Sequence, residues 1–280
     1  MGLPVDVISR AQTVERIGEW IRVPGSKPKI VVTAYSEFYV NAQKDIEFAS
    51  IIKHADLITP DGVSVLAAVE YAARTGRLPR REYTPRNDDW FGIRVLKNFF
   101  EGMKVGGKII SGKMGETITG VWMFDTLTKL ASQKGWKVFL LGGWGDVGER
   151  TTKMLLERSP NIKVMCDSGE LSVGTDSVTN ERVIKKINAY KPDLLFVQYR
   201  PVVQEKWIAT NLSRLKVGVV MGVGGTFDEF VGDFKKAPVV METMGLKWLW
   251  RLMVQPKRFK RIIKAVIIFP WLVFKKSLEL

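Results

Sequence analysis

Leu57-Ile58-Thr59-Pro60-Asp61-Gly62 is a short apolar run that ends in a proline, an acid and a glycine. This pattern predicts the end of a buried strand, then a turn, then a helix that begins near Val63. In an open α/β sheet, a turn at the carboxyl end of a strand faces the ligand crevice. A carboxylate held there can accept a proton from an attacking hydroxyl, although such an aspartate more often caps a helix or a turn. Asp61 is therefore the first candidate catalytic residue, and structural capping is the alternative.

On both sides of this run, apolar segments of strand length alternate with segments of helical spacing. Strands are predicted at about 29–33, 56–59, 137–141, 162–165, 193–197 and 217–223. Helices are predicted between them, including one continuous helix at about 38–53. The alternation predicts an α/β, Rossmann-like fold with a mainly parallel, helix-covered sheet.

Residues 77–115 interrupt this alternation and are interpreted as an insertion. The segment is both aromatic and basic, and Gly102, Gly106 and Gly107 are expected to break the helix that precedes them. The insertion could be a lid over a site, an element that touches a membrane, an oligomer contact or an ordinary helix packed on the core. The ordinary helix packed on the core is as well supported as the other three interpretations together.

Composition limits the possible partners. The 280 residues carry a net charge of +14, which favours nucleic acid, an anionic membrane surface or a phosphate-bearing substrate. Cys166 is the single cysteine, so no intrachain disulfide can form, which agrees with a reducing compartment. No signal-peptide pattern opens the chain, so a cytoplasmic location is expected. His54 is the only histidine. The sequence has neither a Cys/His cluster nor a group of three acidic residues at a spacing typical of a metal site, so no metal site is predicted.

Two glycine-rich turns follow predicted strands. Residues 142–148 begin with Gly142 and Gly143, and their amides could hold a phosphate at the start of a helix. The turn also fits the dinucleotide pattern G-x-G-x-x-G, but the acid expected about twenty residues later is only loosely matched by Asp167. A tight structural turn is an equally good interpretation. The second turn offers bare backbone for a base or a sugar diphosphate, and its candidate binding residues are Gly222, Gly224, Gly225 and Asp228.

The last part of the chain, residues 245–280, differs in character. Its apolar residues recur at helical spacing, with Trp at the edges and many Lys and Arg between them. A basic amphipathic helix of this kind fits an anionic bilayer surface. The apolar run 265–274 contains Pro270 and is shorter than the roughly twenty residues that a membrane span needs. The segment is predicted to lie on the membrane; the alternative is a helix packed on the core with a solvated basic face. Nucleic-acid binding is less favoured because the aromatics follow an apolar helix face.

Several of these segments together resemble the WecG/TagA/CpsF family of bacterial glycosyltransferases. The resemblance covers nearly the whole chain outside the insertion and is carried by residues 2–6, Thr33 with Glu37, residues 42–45, 60–62, 204–207 (Gln-Glu-Lys-Trp), 222–228 (Gly-Val-Gly-Gly-Thr-Phe-Asp), 236–238 and 245–252. It implies a catalytic domain at 1–244 and a membrane-associating appendage at 245–280. It further implies transfer of N-acetylmannosamine, its uronic acid or glucose from a UDP-sugar to a polyprenyl-diphosphate-linked saccharide, at the inner face of the cell membrane.

The same resemblance assigns roles to individual residues. Asp61 matches the family's proposed catalytic base, and Thr33 and Gln204 match its polar active-site residues. The basic residues of the appendage are Arg251, Arg258 and Arg261. Fixed cations can stabilise a departing diphosphate without a metal, so no metal or other cofactor is expected, and the product anomer should be inverted. The partners are then the donor, the lipid-linked acceptor and the membrane, without nucleic acid; a homo-oligomer is possible.

Three positions depart from the family pattern. Tyr35 stands in the turn after Thr33 where the family has asparagine, Thr117 replaces an arginine, and Arg200 is an additional arginine before Gln204. Arg80, Arg81 or Arg86 of the insertion could replace the missing arginine. The donor-binding set is therefore expected to include Tyr35 and Arg200. These departures also support a second interpretation, a homologue that has lost activity and binds a nucleotide sugar or a lipid-linked glycan. A third is a nucleotide-dependent oxidoreductase that uses the 142–148 turn.

Overall fold

A computed structural model describes residues 3–23, 27–75, 91–111, 113–169, 177–233, 237–238, 240–241, 246–256 and 259–278. Six parallel strands form one sheet in the order β2-β1-β6-β5-β3-β4. The strands are β1 Lys29–Ala34, β2 Leu57–Pro60, β3 Lys137–Gly142, β4 Lys163–Asp167, β5 Leu194–Gln198 and β6 Val219–Gly222. All six lie within one or two residues of their predicted positions, and the predicted α/β, Rossmann-like class is confirmed.

Helices cover both faces of the sheet. Those before the C-terminal segment are α1 Arg10–Arg22, α2 Ser36–Ala42, α3 Ile46–Lys53, α4 Val63–Arg74, α5 Phe91–Ile110, α6 Gly120–Lys134, α7 Val147–Arg158, α8 Ser177–Tyr190, α9 Val203–Asn211 and α10 Thr226–Phe230. Successive residues of β1 show how the core forms. Val31 packs on one face of the sheet and Val32 on the other, and both are almost completely buried. A parallel sheet covered on both faces requires this continuous run of apolar residues.

Two helix predictions were wrong in detail. The segment predicted as one helix at 38–53 is divided into α2 and α3, because the Asp45 side chain accepts from the Phe48 amide and caps a new helix. Gly102, Gly106 and Gly107 do not break α5, which runs through all three. A glycine in a helix interior costs only about 1 kcal/mol relative to alanine, and the packing of α5 on its neighbours can offset that cost.

The C-terminal segment is helical and partly docked. It contains α11 Lys247–Val254, α12 Phe259–Ile263, a π-helical turn at Lys264–Ile268 and α13 Phe269–Leu278. The Phe269 amide donates to the Lys264 carbonyl, five residues earlier. A wider turn of this kind precedes Pro270, whose ring would clash with the carbonyl four residues before it in an α-helix.

Phe269 anchors this segment to the core. It is buried, and its ring centroid lies 5.4 Å from that of Tyr39 on α2. Ser277 near the end of α13 is also buried and bonds to Tyr71 of α4 and Asn98 of α5. Of the two predictions for residues 245–280, the helix packed on the core therefore describes α13. No helix in the described part of the chain is both long enough and apolar enough to cross a membrane.

Candidate active site

The carboxyl ends of the six strands meet at one edge of the sheet, and Asp61 lies there directly after β2. Its backbone amide donates to the Ala34 carbonyl at the end of β1 (2.9 Å), and the Gly120 amide donates to its Oδ2 (3.3 Å). Gly62, with a φ of +108°, then lets the chain turn into α4. The carboxylate of Asp61 is therefore held between two strand ends and the first residue of α6.

Thr33 lies near Gly120, the residue whose amide donates to Asp61. It is a buried residue of β1. A Cβ atom built on Gly120 would lie 3.5 Å from Thr33 Oγ1 and 3.2 Å from Thr226 Oγ1. Both hydroxyls therefore lie close to Gly120, whose amide donates to Asp61. The positive end of the α6 dipole also lies here. The structure thus brings together Asp61 and Thr33, and it adds Gly120 and Thr226, which the sequence analysis did not identify.

Gln204 occupies the middle of the edge, at the start of α9. Its Oε1 accepts from the Gly224 amide (3.0 Å), and its Nε2 donates to Glu205 Oε1 (2.6 Å). Glycine is required at position 222, because a Cβ there would lie 2.7 Å from Gln204 Nε2 and 2.9 Å from Glu205 Oε1. Gly222, one of the glycines predicted to expose backbone to a ligand, therefore also makes room for this side-chain pair.

Glu205 is a buried carboxyl that the sequence analysis did not place in the site. Its Oε2 accepts from the Val202 amide (2.7 Å). Val202 has a φ of +74°, which is uncommon for a β-branched residue. Burial raises the pKa of Glu205 to about 7, and the hydrogen bonds from Gln204 and Val202 oppose that rise. The signal was present in the sequence, because Glu205 belongs to the quoted Gln-Glu-Lys-Trp element.

The appendage reaches the same edge through Arg261 of α12. Its Nε donates to Glu37 Oε2 (2.7 Å) and its Nη2 to the Tyr35 hydroxyl (3.0 Å). Lys264 adds a bond to Asn41 (3.0 Å) and lies 3.8 Å from Glu37. Burial raises the pKa of the Tyr35 phenol far above its usual range, and the positive charge of Arg261 only partly opposes this. Tyr35 therefore stays neutral and accepts a hydrogen bond from Arg261.

The other candidate binding residues lie toward β3 and β5. Asp228 Oδ2 accepts from Gln198 Nε2 (2.6 Å), which joins the end of β5 to α10. The Gly143 amide donates to the Gln198 carbonyl (3.1 Å), so that amide is used within the protein. A Cβ on Gly142 would overlap the same carbonyl at 2.3 Å. The tight-turn interpretation of residues 142–148 thus has a direct structural basis.

Arg200 is exposed beside this turn. Its guanidinium carbon lies 5.5 Å from the ring centroid of Trp144, a distance typical of a cation–π contact. Gly225 caps α10 directly after β6, next to Gly224. Arg200, Gly222, Gly224 and Gly225 therefore all lie along the carboxyl edge of the sheet, as predicted from their positions after strands.

Some predicted residues cannot be placed. Arg258 lies outside the described residues, as do Arg80, Arg81 and Arg86, the proposed replacements for the missing arginine. Arg251 belongs to α11, but its side chain is outside the described part of the structure. Of the three appendage arginines, Arg261 alone has described contacts with the edge.

Asp167 bears on the oxidoreductase alternative. It ends β4, where a dinucleotide-binding fold places the acid that contacts a ribose. Here Arg182 donates to both of its carboxylate oxygens (2.7 and 2.9 Å), and Lys186 lies 2.8 Å away. The Arg182 hydrogen bonds hold the pKa of Asp167 well below its usual range. This carboxylate is committed to two cations, which does not favour that alternative.

Among the residues that the structure describes, no group of three or more His, Cys, Asp or Glu side chains is arranged to hold a metal ion. Charged groups with described contacts here include Asp61, Glu37, Glu205, Asp228, Arg261 and Lys264.

Comparison with known proteins agrees with this geometry. The model of the glycosyl transferase WecG/TagA/CpsF family matches residues 1–85 and 101–280. The chain is 27% identical over 275 residues to the N-acetylglucosaminyldiphosphoundecaprenol N-acetyl-beta-D-mannosaminyltransferase of Staphylococcus aureus strain MRSA252, covering 98% of this chain and 91% of that protein. It is 26% identical, over the same shares, to the protein of that name from strain NCTC 8325. The residues that the family model leaves unmatched fall within the predicted insertion.

Proposed function

The chain belongs to the WecG/TagA/CpsF family of glycosyltransferases, and from that membership we propose that it moves a hexose derivative from a UDP-sugar to a polyprenyl-diphosphate-linked saccharide. The relatives are named for the transfer of N-acetylmannosamine to a GlcNAc-diphosphoundecaprenol acceptor. N-acetylmannosamine is therefore the first donor sugar to test, ahead of its uronic acid and glucose. The product would enter a cell-envelope polysaccharide such as a teichoic acid.

The observation that carries this proposal is the position of Asp61. Its carboxylate accepts from the Gly120 amide at the carboxyl edge of the sheet, and the Thr33 hydroxyl lies near the same glycine. A carboxylate held in that place can take the proton of the acceptor hydroxyl as that oxygen bonds to the anomeric carbon. The bond from the anomeric carbon to the diphosphate oxygen then breaks, and UDP leaves. A single displacement of this kind inverts the anomeric configuration.

The departing diphosphate needs positive charge and hydrogen-bond donors. Arg261 lies at the edge with its guanidinium fixed by Glu37 and Tyr35. A guanidinium has five N–H donors, and these two contacts use only two of them. Arg251 and Arg258 of the same appendage are proposed to contribute further charge. Cations positioned before the reaction stabilise the leaving group without a metal.

Gln204 is proposed to orient the donor. Its amide is held by Glu205 and the Gly224 amide, so it is rigid before a substrate arrives. The bare backbone of Gly222, Gly224 and Gly225 allows a base or a diphosphate to approach closely. Tyr35 replaces an asparagine of the family pattern, and its hydroxyl accepts a hydrogen bond from Arg261. The contact between the appendage and the proposed donor side of the site therefore uses a residue that departs from the family pattern.

The test is a UDP-release assay with a panel of UDP-sugars and a short-prenyl-diphosphate-GlcNAc acceptor. Wild type should release UDP with one donor, and Asp61→Asn should lower the rate by about 10²- to 10⁴-fold, the usual contribution of a general base. The matched control is Asp125→Asn, which makes the same change at a partly exposed position of α6 that pairs with Lys129, and it should keep full activity. Full activity in Asp61→Asn would refute its role as the base. Measurable UDP binding without release from any donor would instead support a glycan- or nucleotide-sugar-binding module.

A further inference from the structure

Helix α5 has an inner stripe that packs on the domain and an apolar stripe on its opposite side. The inner stripe includes Asn98, Gly102 and Val105 and packs on α4 and α13. Within it, Asn98 Nδ2 donates to Ser277 Oγ (3.0 Å), and Val105 lies in a small buried cluster with Tyr71. This stripe accounts for why α5 is held against the domain.

The second stripe faces solvent. It consists of Leu96, Phe99, Phe100 and Met103, which we call the α5 outer face. Each of the four side chains is 55–61% exposed. Their spacing of three, four and seven residues places them on one side of the helix, away from the inner stripe. A soluble domain gains nothing in stability from large apolar side chains held in water, so this stripe indicates a partner.

The charges beside the α5 outer face indicate the chemistry of that partner. Lys97 and Lys104 are exposed on the same helix, and Lys108 follows one turn later; Lys104 pairs with Glu101 and Lys108 with Glu70. The whole chain carries a net charge of +14. Two copies of such a surface would repel each other, whereas an anionic bilayer would attract it. Aromatic and aliphatic side chains bordered by lysine are typical of helices that lie in the interface of a bilayer.

Helix α13 extends the same chemistry. It packs beside α5, and its Trp271 is 60% exposed. Lys275, one turn after Trp271, is also exposed. Tryptophan prefers the headgroup level of a membrane, and lysine can keep its charge in water while its stem lies on apolar surface. Two neighbouring helices therefore each present exposed aromatic and cationic groups.

We propose that the α5 outer face is a bilayer-contact surface that inserts its apolar side chains among anionic lipids. Most of the face falls in or beside the stretch that the family model leaves unmatched, so the surface is a property of this chain's insertion rather than of the matched segments. The inference rests on the proposed function, since a lipid-linked acceptor has to be met at a membrane. Contact through α5 would give the enzyme a second attachment besides its basic C-terminal segment and would fix its orientation.

The experiment labels the full chain at one residue of the face. In a Cys166→Ser background, Met103→Cys carries an environment-sensitive nitrobenzoxadiazole label. The matched control carries the same label at Val178→Cys, an exposed apolar position of α8. Vesicles of phosphatidylglycerol and phosphatidylcholine should shift the emission of the label at position 103 to shorter wavelength and leave the control unchanged. An unchanged spectrum at position 103 while the protein sediments with the vesicles would overturn the proposal.

A second pair of variants measures the energy of the contact. Phe99→Ser with Phe100→Ser should lower the partition coefficient onto anionic vesicles by about tenfold, because two half-buried phenyl rings are removed from the lipid. Ile46→Ser with Val178→Ser, two apolar positions elsewhere that are even more exposed, should not change it. Equal partitioning of wild type and the Phe double variant would refute the proposal. So would a dimer in solution that the Phe substitutions dissociate, since a second copy would then cover the face.

These measurements are independent of the proposed reaction. Vesicle binding uses neither a donor nor an acceptor, and the UDP-release assay with a short-prenyl acceptor needs no bilayer. The Phe99→Ser, Phe100→Ser variant should therefore release UDP at the wild-type rate in that assay. Loss of UDP release from every donor with vesicle binding intact would count against the reaction alone.

Discussion

Glu205 is subject to two opposing effects. Burial disfavours its charge and raises its pKa to about 7, while the amides of Gln204 and Val202 donate to its two oxygens and favour the carboxylate. The carboxyl is therefore near the midpoint of its titration at neutral pH. Because it holds Gln204 in place, its protonation state is linked to the part of the edge that we propose binds the donor.

This linkage predicts a pH-dependent stability. The folded-state pKa of Glu205 lies above its value of 4.5 in an unfolded chain, so the folded state binds the proton more tightly. Its contribution to the free energy of unfolding is full below pH 4.5, declines as the pH rises to about 7 and is constant above that. Glu205→Gln removes this titration. We expect the difference in unfolding free energy between wild type and variant to fall by about 2 kcal/mol from pH 5 to pH 8.

Urea denaturation at a series of pH values measures this difference. The control is Glu157→Gln on the exposed surface of α7, which should follow the wild-type profile. Parallel profiles for wild type and Glu205→Gln would show that the Glu205 carboxyl does not titrate between these pH values. If the unfolding free energy of wild type rose relative to that of Glu205→Gln as the pH increased, folding would lower the pKa of Glu205 instead of raising it.

Among the elements, α12 and α2 make the contact that joins the appendage to the edge. Arg261 bridges Glu37 and Tyr35 with two donors of one planar group. Lysine keeps the charge but cannot reproduce this fork. Loss of one hydrogen bond to a charged group costs about 1.5–3 kcal/mol, so Arg261→Lys should lower the rate of UDP release by roughly 10- to 100-fold.

The control for this prediction lies on the same helix. Lys260 is exposed, and Lys260→Gln removes a positive charge from α12 without touching Glu37 or Tyr35. It should retain the wild-type rate with a short-prenyl acceptor. If Arg261→Lys also retained that rate, the Arg261 contact would serve only to pack the appendage.

The strands were predictable because their evidence is local. Each β-branched or apolar run is buried on both faces, so its length and turn residues determine its limits. The α5 helix was harder, because three glycines oppose it locally while packing on α4 and α13 supports it from far away in sequence. The same limit applies to the site. Asp61 could be found from its turn and Gln204 from the family resemblance, but the contact of Arg261 with Glu37 joins residues 224 positions apart.

On the scale of the whole molecule, the C-terminal segment is part of the fold as well as the proposed attachment to a membrane. Its basic residues favour an anionic surface, yet Phe269 lies in the core cluster and Ser277 bonds to two other helices. Removing residues 259–280 therefore does more than release the protein from a membrane. It also uncovers apolar surface on α2, α4 and α5.

This double role predicts how truncation will behave. Replacing a buried phenylalanine with alanine costs about 3–5 kcal/mol, so Phe269→Ala should lower the thermal midpoint by about 10 °C in a domain of this size. Deletion of residues 259–280 should lower it at least as far and increase the binding of a hydrophobic dye. Trp271→Ala is the matched control, because that aromatic side chain is exposed and its loss should leave the midpoint unchanged. Calorimetry of wild type, Phe269→Ala, the deletion and Trp271→Ala measures these midpoints and tests whether α13 is docked on the core. An unchanged midpoint in both Phe269→Ala and the deletion would mean that α13 is not docked in solution, and lost activity after truncation could then be assigned to the appendage's contacts with substrate and lipid.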